Sequence, residues 1–271
     1  MTIEFGCHGI TWVLDYDKEI DFLNKILDTV SENGFTTVDI IYATLGKYEN
    51  DPEALREALD KRGLKLGAFT VPFTWGQEGE TEEERALADH CIDYLSKFPN
   101  TALNLPIRVG KDRSNLLERQ MQIINNANAV GRRAHAKGVK ACIHPATPGN
   151  SYFKNESDYA VLFEHIDREH LGYTPDTGHI LAAGMDPLTV IKENMDIVRH
   201  MHFKEANSNL EWDIMGEGAI DFPAIMTYLV DNKYDGWIMV EEETPEAPLD
   251  PEKTVKNMAN YVNEQLRPLL R

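Results

Sequence analysis

Eight short apolar segments alternate with longer amphipathic segments from one end of the chain to the other, and this alternation constrains the fold most strongly. Residues 18–34 illustrate the amphipathic type, with apolar side chains at helical spacing before Gly34. Strands that alternate strictly with helices form parallel sheets buried on both faces, and eight such units favour closure into an α/β (β/α)8 TIM barrel. We predict strands over residues 3–9, 36–42, 64–71, 101–107, 139–144, 170–176, 198–204 and 236–241.

The chain length fits one barrel. The sequence has 271 residues, close to the roughly 250 of a typical single-domain barrel, and no linker or low-complexity segment interrupts it. We therefore predict one domain over residues 1–271. A doubly wound open sheet is the structural alternative, but neither GxGxxG nor GxxxxGK[ST] follows the first predicted strand.

Charge and cysteine content restrict the partners and the compartment. The chain has 27 basic and 45 acidic residues, a formal net charge of −18, which disfavours nucleic acids and anionic membranes as partners. No apolar run approaches 18 residues, and the start has no cleavable signal pattern, so we expect a cytoplasmic protein without membrane association. The three cysteines lack paired spacing, and we expect buried, reduced thiols.

Four consecutive predicted strands end in a titratable residue: His144, Asp176, His202 and Glu241. Chemistry in a TIM barrel takes place at the carboxyl ends of the strands, so these side chains should point toward one region. Two imidazoles and two carboxylates suit a divalent transition metal (Mn, Co, Zn or Fe) better than Ca²⁺ or Mg²⁺. We predict that the four bind one such ion. Taken singly, Asp176 could equally cap the next helix, and Glu241 could open a solvated acidic run.

Three motifs in the second half of the chain carry a family resemblance: YTPDTGH (173–179), RHMHFKEA (199–206), and the block from GEG to IMVE (216–241). The sequence resembles the xylose isomerase-like TIM barrels, which include sugar phosphate isomerases and epimerases, endonuclease IV and inosose dehydratase. The resemblance implies that Asp176, His202 and Glu241 occupy metal-ligand positions and that His179 lies close to the site. The family's isomerases generally carry Glu at the fifth strand end. His144 stands there in this chain, as in the histidine-rich inosose dehydratase branch.

This resemblance implies an enzyme that abstracts a proton next to the carbonyl of a keto-sugar or keto-cyclitol. The metal would polarise the carbonyl, with Glu241 or His179 as the base and Lys204 as a donor to developing charge. Because His144 replaces a second carboxylate, we favour a dehydratase, a metal-dependent carbohydrate lyase. An isomerase or epimerase that works through an enediolate is the alternative.

The loops after the seventh and eighth predicted strands are acidic, which favours an unphosphorylated substrate. Trp12 and Trp75 follow predicted strands and are candidates to stack on a sugar or cyclitol ring. Two further classes are less favoured. An abasic-site endonuclease conflicts with the negative charge, and a non-catalytic binding barrel predicts that the strand-end residues do not converge. A homo-oligomer is compatible with the sequence.

Asp176 and His179 are expected to divide the work. Asp176, at a strand end, should bind the metal directly. Gly178 should turn the chain so that His179, in a loop, faces the substrate without binding the metal.

Overall fold

A computed structural model describes residues 3–14, 22–108, 110–147 and 149–270 of the chain. All eight predicted strands are confirmed, because each observed strand lies within a predicted range. The strands are β1 (Glu4–His8), β2 (Thr37–Ile41), β3 (Lys65–Thr70), β4 (Ala102–Pro106), β5 (Lys140–His144), β6 (Leu171–Tyr173), β7 (His202–Lys204) and β8 (Trp237–Glu241).

Several helices of the described residues begin at a side-chain cap. Asp51 caps one of them, its side chain accepting a hydrogen bond from Ala54 N at 3.0 Å, and Pro52 occupies the first turn, as expected from the sequence. The α-helices are α1 (Ile10–Val13), α2 (Leu23–Glu32), α3 (Pro52–Asp60), α4 (Glu82–Leu95), α5 (Leu116–Ala136), α6 (Glu156–His165), α7 (Thr177–Ala182), α8 (Pro187–Glu193), α9 (Phe222–Asp231) and α10 (Pro251–Tyr261). The expected start of α2 near residue 18 lies outside the described residues.

The chain divides into two compact units. The first unit comprises residues 1–68 and 201–271, and the second unit comprises residues 69–200. Strand β3 runs through the boundary. The strand order is β3-β2-β1-β8-β7 in the first unit and β6-β5-β4-β3 in the second. The pairs β1–β2, β1–β8, β7–β8, β4–β5 and β5–β6 are parallel, as a β/α alternation requires. That residues 1–271 form one domain stays a prediction.

Strands β6 and β7 are shorter than predicted. Strand β6 ends at Tyr173, two residues before Pro175, which has no N–H for the strand ladder. Tyr173 N donates to Ile197 O at 2.8 Å, and Arg199 N donates to Tyr173 O at 3.2 Å. Val198, which was predicted to lie in the seventh strand, forms an isolated parallel bridge with Tyr173. Strand β7 itself begins only at His202.

The three cysteines are free and buried, which confirms the expected thiols. Burial, with a smaller contribution from two nearby carboxylates, raises the pKa of the Cys7 thiol, so this cysteine stays protonated and is a poor nucleophile. Among the described residues, no helix combines the length and the apolar character that crossing a membrane requires.

Candidate functional site

The first unit brings together three buried side chains, His8, His202 and Glu241, which we call the first trio. One potential ligand atom from each lies within 4.8 Å of the others. Glu241 Oε2 is central, since it lies 3.2 Å from Nδ1 of His8 and 3.2 Å from Nδ1 of His202. Strand β8 pairs with both β1 and β7, so the three side chains are brought together by backbone pairing. Two imidazoles and a carboxylate are a donor set that suits a divalent transition metal.

The Nδ1 atom of His8 lies close to both a backbone donor and the Glu241 carboxylate. Ile10 N donates to His8 Nδ1 at 3.1 Å, so this nitrogen acts as an acceptor. In the neutral ring the proton must then be on Nε2. Nδ1 cannot also donate to Glu241, although the carboxylate oxygen lies 3.2 Å away.

His202 is held between two carboxylates. Its Nε2 lies 3.1 Å from Asp39 Oδ2, and its Nδ1 faces Glu241. Burial by itself lowers the pKa of His202, but Glu241 and Asp39 outweigh it and raise this pKa from 6.5 to about 10. In the metal-free protein His202 is therefore protonated at neutral pH. A metal ion that binds its imidazole must displace that proton.

The two oxygens of Glu241 face different groups. Oε2 faces the two histidines, whereas Oε1 lies 3.4 Å from Lys204 Nζ. Lys204 is buried, and its Nζ also donates to Glu243 Oε1 at 2.6 Å. Although burial raises the pKa of Glu241, Lys204, His202 and His8 lower it well below its ordinary value. Glu241 is thus ionised throughout the neutral range.

The second unit brings together His144, Asp176 and His179, which we call the second trio. All three are buried. His144 Nε2 lies 3.5 Å from Asp176 Oδ2, and His179 Nε2 lies 4.0 Å from the same oxygen. The two imidazole rings meet edge to face, with their centroids 5.5 Å apart.

The expected loop around Gly178 is wrong, because residues 177–182 form α7. Asp176 is the N-cap of this helix, its Oδ1 accepting a hydrogen bond from His179 N at 2.9 Å. This cap stabilises the first turn and places His179 on the helix. Asp176 Oδ2 is directed toward both histidines, so the oxygen that caps the helix is not the one that faces the imidazoles.

Thr147 fixes the orientation of the His179 ring. Thr147 N donates to His179 Nδ1 at 3.2 Å, and Thr147 Oγ1 donates to His179 O at 2.6 Å. A backbone N–H can only donate, so Nδ1 is an acceptor and the neutral ring carries its proton on Nε2. A protonated Nε2 cannot bind a metal but can donate a hydrogen bond.

Tyr159 contacts the same threonine through a side-chain hydrogen bond. Burial, followed by the nearby Asp176 carboxylate, raises the pKa of Tyr159. Its phenol is therefore a neutral group next to the second trio.

The structure places the remaining sequence-predicted residues, the two tryptophans, in the interior. Trp12 lies in α1 and is 7% exposed, whereas Trp75 is 1% exposed and stacks on Phe73 at 4.9 Å between ring centroids. Their role in substrate binding stays a prediction. Sequence reasoning missed His8, which ends the observed strand β1 just as His144 ends β5 but lies one residue before the end of the predicted strand 3–9. It also missed Asp39, a charged residue inside an apolar strand segment.

Comparisons with known proteins agree in fold and in family. A family model described as a xylose isomerase-like TIM barrel matches residues 27–265. The inosose dehydratase of Salmonella agona is 25% identical over 298 residues, covering 98% of this chain and 97% of that protein.

Two solved structures show the same fold. The IOLI protein with a bound zinc atom has a TM-score of 0.76 at 14% identity, covering 99% of this chain and 98% of that one. D-psicose 3-epimerase from Clostridium cellulolyticum H10 has a TM-score of 0.72 at 15% identity, covering 99% and 100%. The predicted (β/α)8 TIM barrel is thus confirmed. The curated relatives, which are inosose dehydratases, confirm an enzyme family. Since the family model spans most of its length, the chain belongs to the xylose isomerase-like TIM barrel family.

Proposed function

We propose that this protein is a divalent-metal-dependent dehydratase that acts on an unphosphorylated keto-cyclitol of the inosose type or on a related keto-sugar. The observation that most supports this proposal is the position of the Glu241 carboxylate. One of its oxygens faces the two histidines of the first trio, and the other lies 3.4 Å from the Lys204 ammonium. Full-length similarity to inosose dehydratases supports the substrate class.

We propose His144, Asp176, His202 and Glu241 as the residues that hold the ion, in line with their strand-end positions. His8 lies beside His202 and Glu241 in the first trio. When bound, a divalent transition metal acts as a Lewis acid that polarises the substrate carbonyl and acidifies the adjacent C–H bond.

Proton transfer falls to Glu241 and Lys204. The Glu241 carboxylate accepts the proton from the carbon next to the carbonyl, and the Lys204 ammonium gives a proton to the hydroxyl that leaves as water. The proton on Glu241 then passes to the neutral Lys204 amine over the 3.4 Å between them. The pair returns to its starting charges, and the net change is the loss of one water.

His179 has a different role in this scheme. Its Nε2–H is a neutral donor, which can bind a substrate oxygen as negative charge develops on it, much as neutral histidine acts in triosephosphate isomerase. Of the two candidate bases, this leaves Glu241.

An epimerase is the second candidate, and the D-psicose 3-epimerase likeness in fold favours its inclusion. Both reactions begin with removal of a proton next to a carbonyl, and they differ in whether a hydroxyl leaves. A binding barrel without metal chemistry predicts that the strand-end residues do not converge, whereas each unit contains a buried trio.

The test uses the full chain loaded separately with Mn²⁺, Co²⁺, Zn²⁺ or Fe²⁺ and incubated with an inosose or an unphosphorylated ketohexose in D₂O. We expect metal-dependent ultraviolet absorbance from the unsaturated or dicarbonyl product of the inosose, with loss of water. Glu241→Gln and Lys204→Met should abolish it, whereas Lys61→Met, at an exposed lysine, should not. Deuterium incorporation or epimer formation without loss of water would replace the dehydratase with an epimerase. If the protein neither releases water nor incorporates deuterium, both proposed activities are rejected.

A further inference from the structure

Trp212 covers the ammonium group of Lys204. The Nζ atom lies 4.1 Å from the centroid of the indole ring, within the range of a cation–π interaction. Glu241 and Glu243 approach the same Nζ at 3.4 and 2.6 Å. A lysine side chain has four rotatable bonds, so two carboxylates alone do not set its direction. The ring supplies a third, apolar contact.

Trp212 is carried by an ordered loop between β7 and α9. Ala206 and Trp212 form an antiparallel bridge, and Asn207 N donates to Glu211 O at 2.9 Å. Leu210 closes the turn with a positive φ of 66°. These bonds form a short hairpin that directs Trp212 back toward the strand that carries Lys204.

A buried carboxylate, Glu205, ties the two ends of this loop together. Its Oε1 accepts hydrogen bonds from Ala206 N at 3.0 Å and Ile220 N at 3.2 Å, and its Oε2 accepts one from Gly216 N at 3.1 Å. Glu205 is 2% exposed, so these backbone donors replace the water that the charge would otherwise bind. A Cβ at Gly218 would overlap Glu205 Oε1, which explains the glycine at that position.

We propose that Trp212 is a positioning residue for Lys204 and that Glu205 sets the loop that holds Trp212 in place. The effect on turnover rests on the proposed function, whereas the placement of Lys204 does not. Neither residue stands out in the sequence as a candidate for the chemistry, since Glu205 resembles a surface acid and Trp212 resembles an ordinary loop aromatic.

The placement is tested on the metal-free full chain without substrate. Ring currents from Trp212 should shift the Lys204 ε-methylene signals upfield in spectra of lysine-labelled protein. Trp212→Phe should retain part of the shift, and Trp212→Leu should remove it. An unchanged Lys204 signal in Trp212→Leu would overturn the proposal.

The role of Glu205 is tested with a matched pair. Glu205→Gln keeps the shape but turns one acceptor into a donor that faces a backbone N–H. We expect the Gly216 and Ile220 amides to exchange hydrogen at least about tenfold faster and the Lys204 signal to move as in Trp212→Leu. Glu217→Gln, at an exposed residue of the same loop, should behave like the unaltered protein. Equal exchange in both variants would overturn the role of Glu205.

Kinetic measurements then distinguish the proposed dehydratase function from the proposed positioning role of Trp212. With an inosose that is turned over, Trp212→Leu should lower kcat about tenfold or more, with Trp212→Phe restoring most of it and KM changing less. If no substrate is turned over, the proposed function fails while the spectra still decide the placement. Normal kcat in Trp212→Leu would show that the ring does not position Lys204 for the reaction.

Discussion

At the scale of single residues, the donor character of His179 leads to a prediction about its role. Its Nδ1 accepts from Thr147 N, so the neutral ring carries its proton on Nε2, which can donate to a substrate oxygen. His179→Ala should lower kcat by about 10²- to 10³-fold, the cost of removing one oxyanion donor, with metal content preserved. His179→Gln, which keeps an N–H donor, should recover part of the rate. Metal analysis alongside kinetics decides, since loss of metal in His179→Ala would make His179 a ligand.

The expectation that functional side chains lie at strand ends identified some residues of the two trios and missed others. It singled out His202 and Glu241, which meet in the first trio, and His144 and Asp176, which meet in the second. Asp39 was missed because it lies in the middle of β2, and its contact with His202 depends on strand pairing. The tautomer of His179 could not be predicted from the sequence either. It is set by a hydrogen bond from the backbone N–H of Thr147, which lies 32 residues earlier in the chain.

At the scale of elements, the alternation of apolar and amphipathic segments was sufficient to predict all eight strands, since each is buried along all or nearly all of its length. The start of α3 was predicted correctly because it depends on local sequence alone. Asp51 caps the helix with its side chain, and the fixed φ of Pro52 suits the first helical turn. Helix α7, which follows Asp176, was not predicted, because Gly178 suggested a loop. The cap bond to His179 N outweighs the low helix propensity of Gly178.

Strand β3 provides an element-scale prediction through Gly67. A Cβ at this position would overlap Asp39 Oδ1 and approach Thr37 Cγ2 to 3.0 Å. Gly67→Ala should therefore push Asp39 away from His202 and lower the free energy of unfolding by about 1–3 kcal/mol, as overpacking in a core does. Metal affinity should fall with it. Denaturant unfolding and metal titration measure the two effects.

Gly76→Ala is the control for that substitution. A Cβ at Gly76 would meet only Thr74 Cγ2 at 3.7 Å, an ordinary contact. Wild-type stability and metal affinity in Gly67→Ala would mean that β3 does not constrain Asp39.

At the scale of the whole molecule, the net charge of −18 and the buried carboxylates both favour uptake of a cation. Proton and metal compete for the same groups. Because its pKa is raised to about 10, His202 stabilises the metal-free fold fully below its ordinary pKa of 6.5, and this contribution is lost as the pH rises through about 10. A metal ion requires the neutral imidazole, so its apparent affinity should rise up to about tenfold per pH unit below that value.

The whole chain should thus bind one metal ion and release about one proton from His202 at pH 7.5. Calorimetric titration with Zn²⁺ in two buffers of different ionisation enthalpy measures both numbers. His202→Gln should weaken binding and remove the proton release, whereas His165→Gln, at an exposed histidine, should change neither. At about 100 times the dissociation constant, the ion should stabilise the fold by about 2.7 kcal/mol. Two ions per chain would contradict a single site shared by His144, Asp176, His202 and Glu241, and binding without proton release would contradict His202 as a ligand.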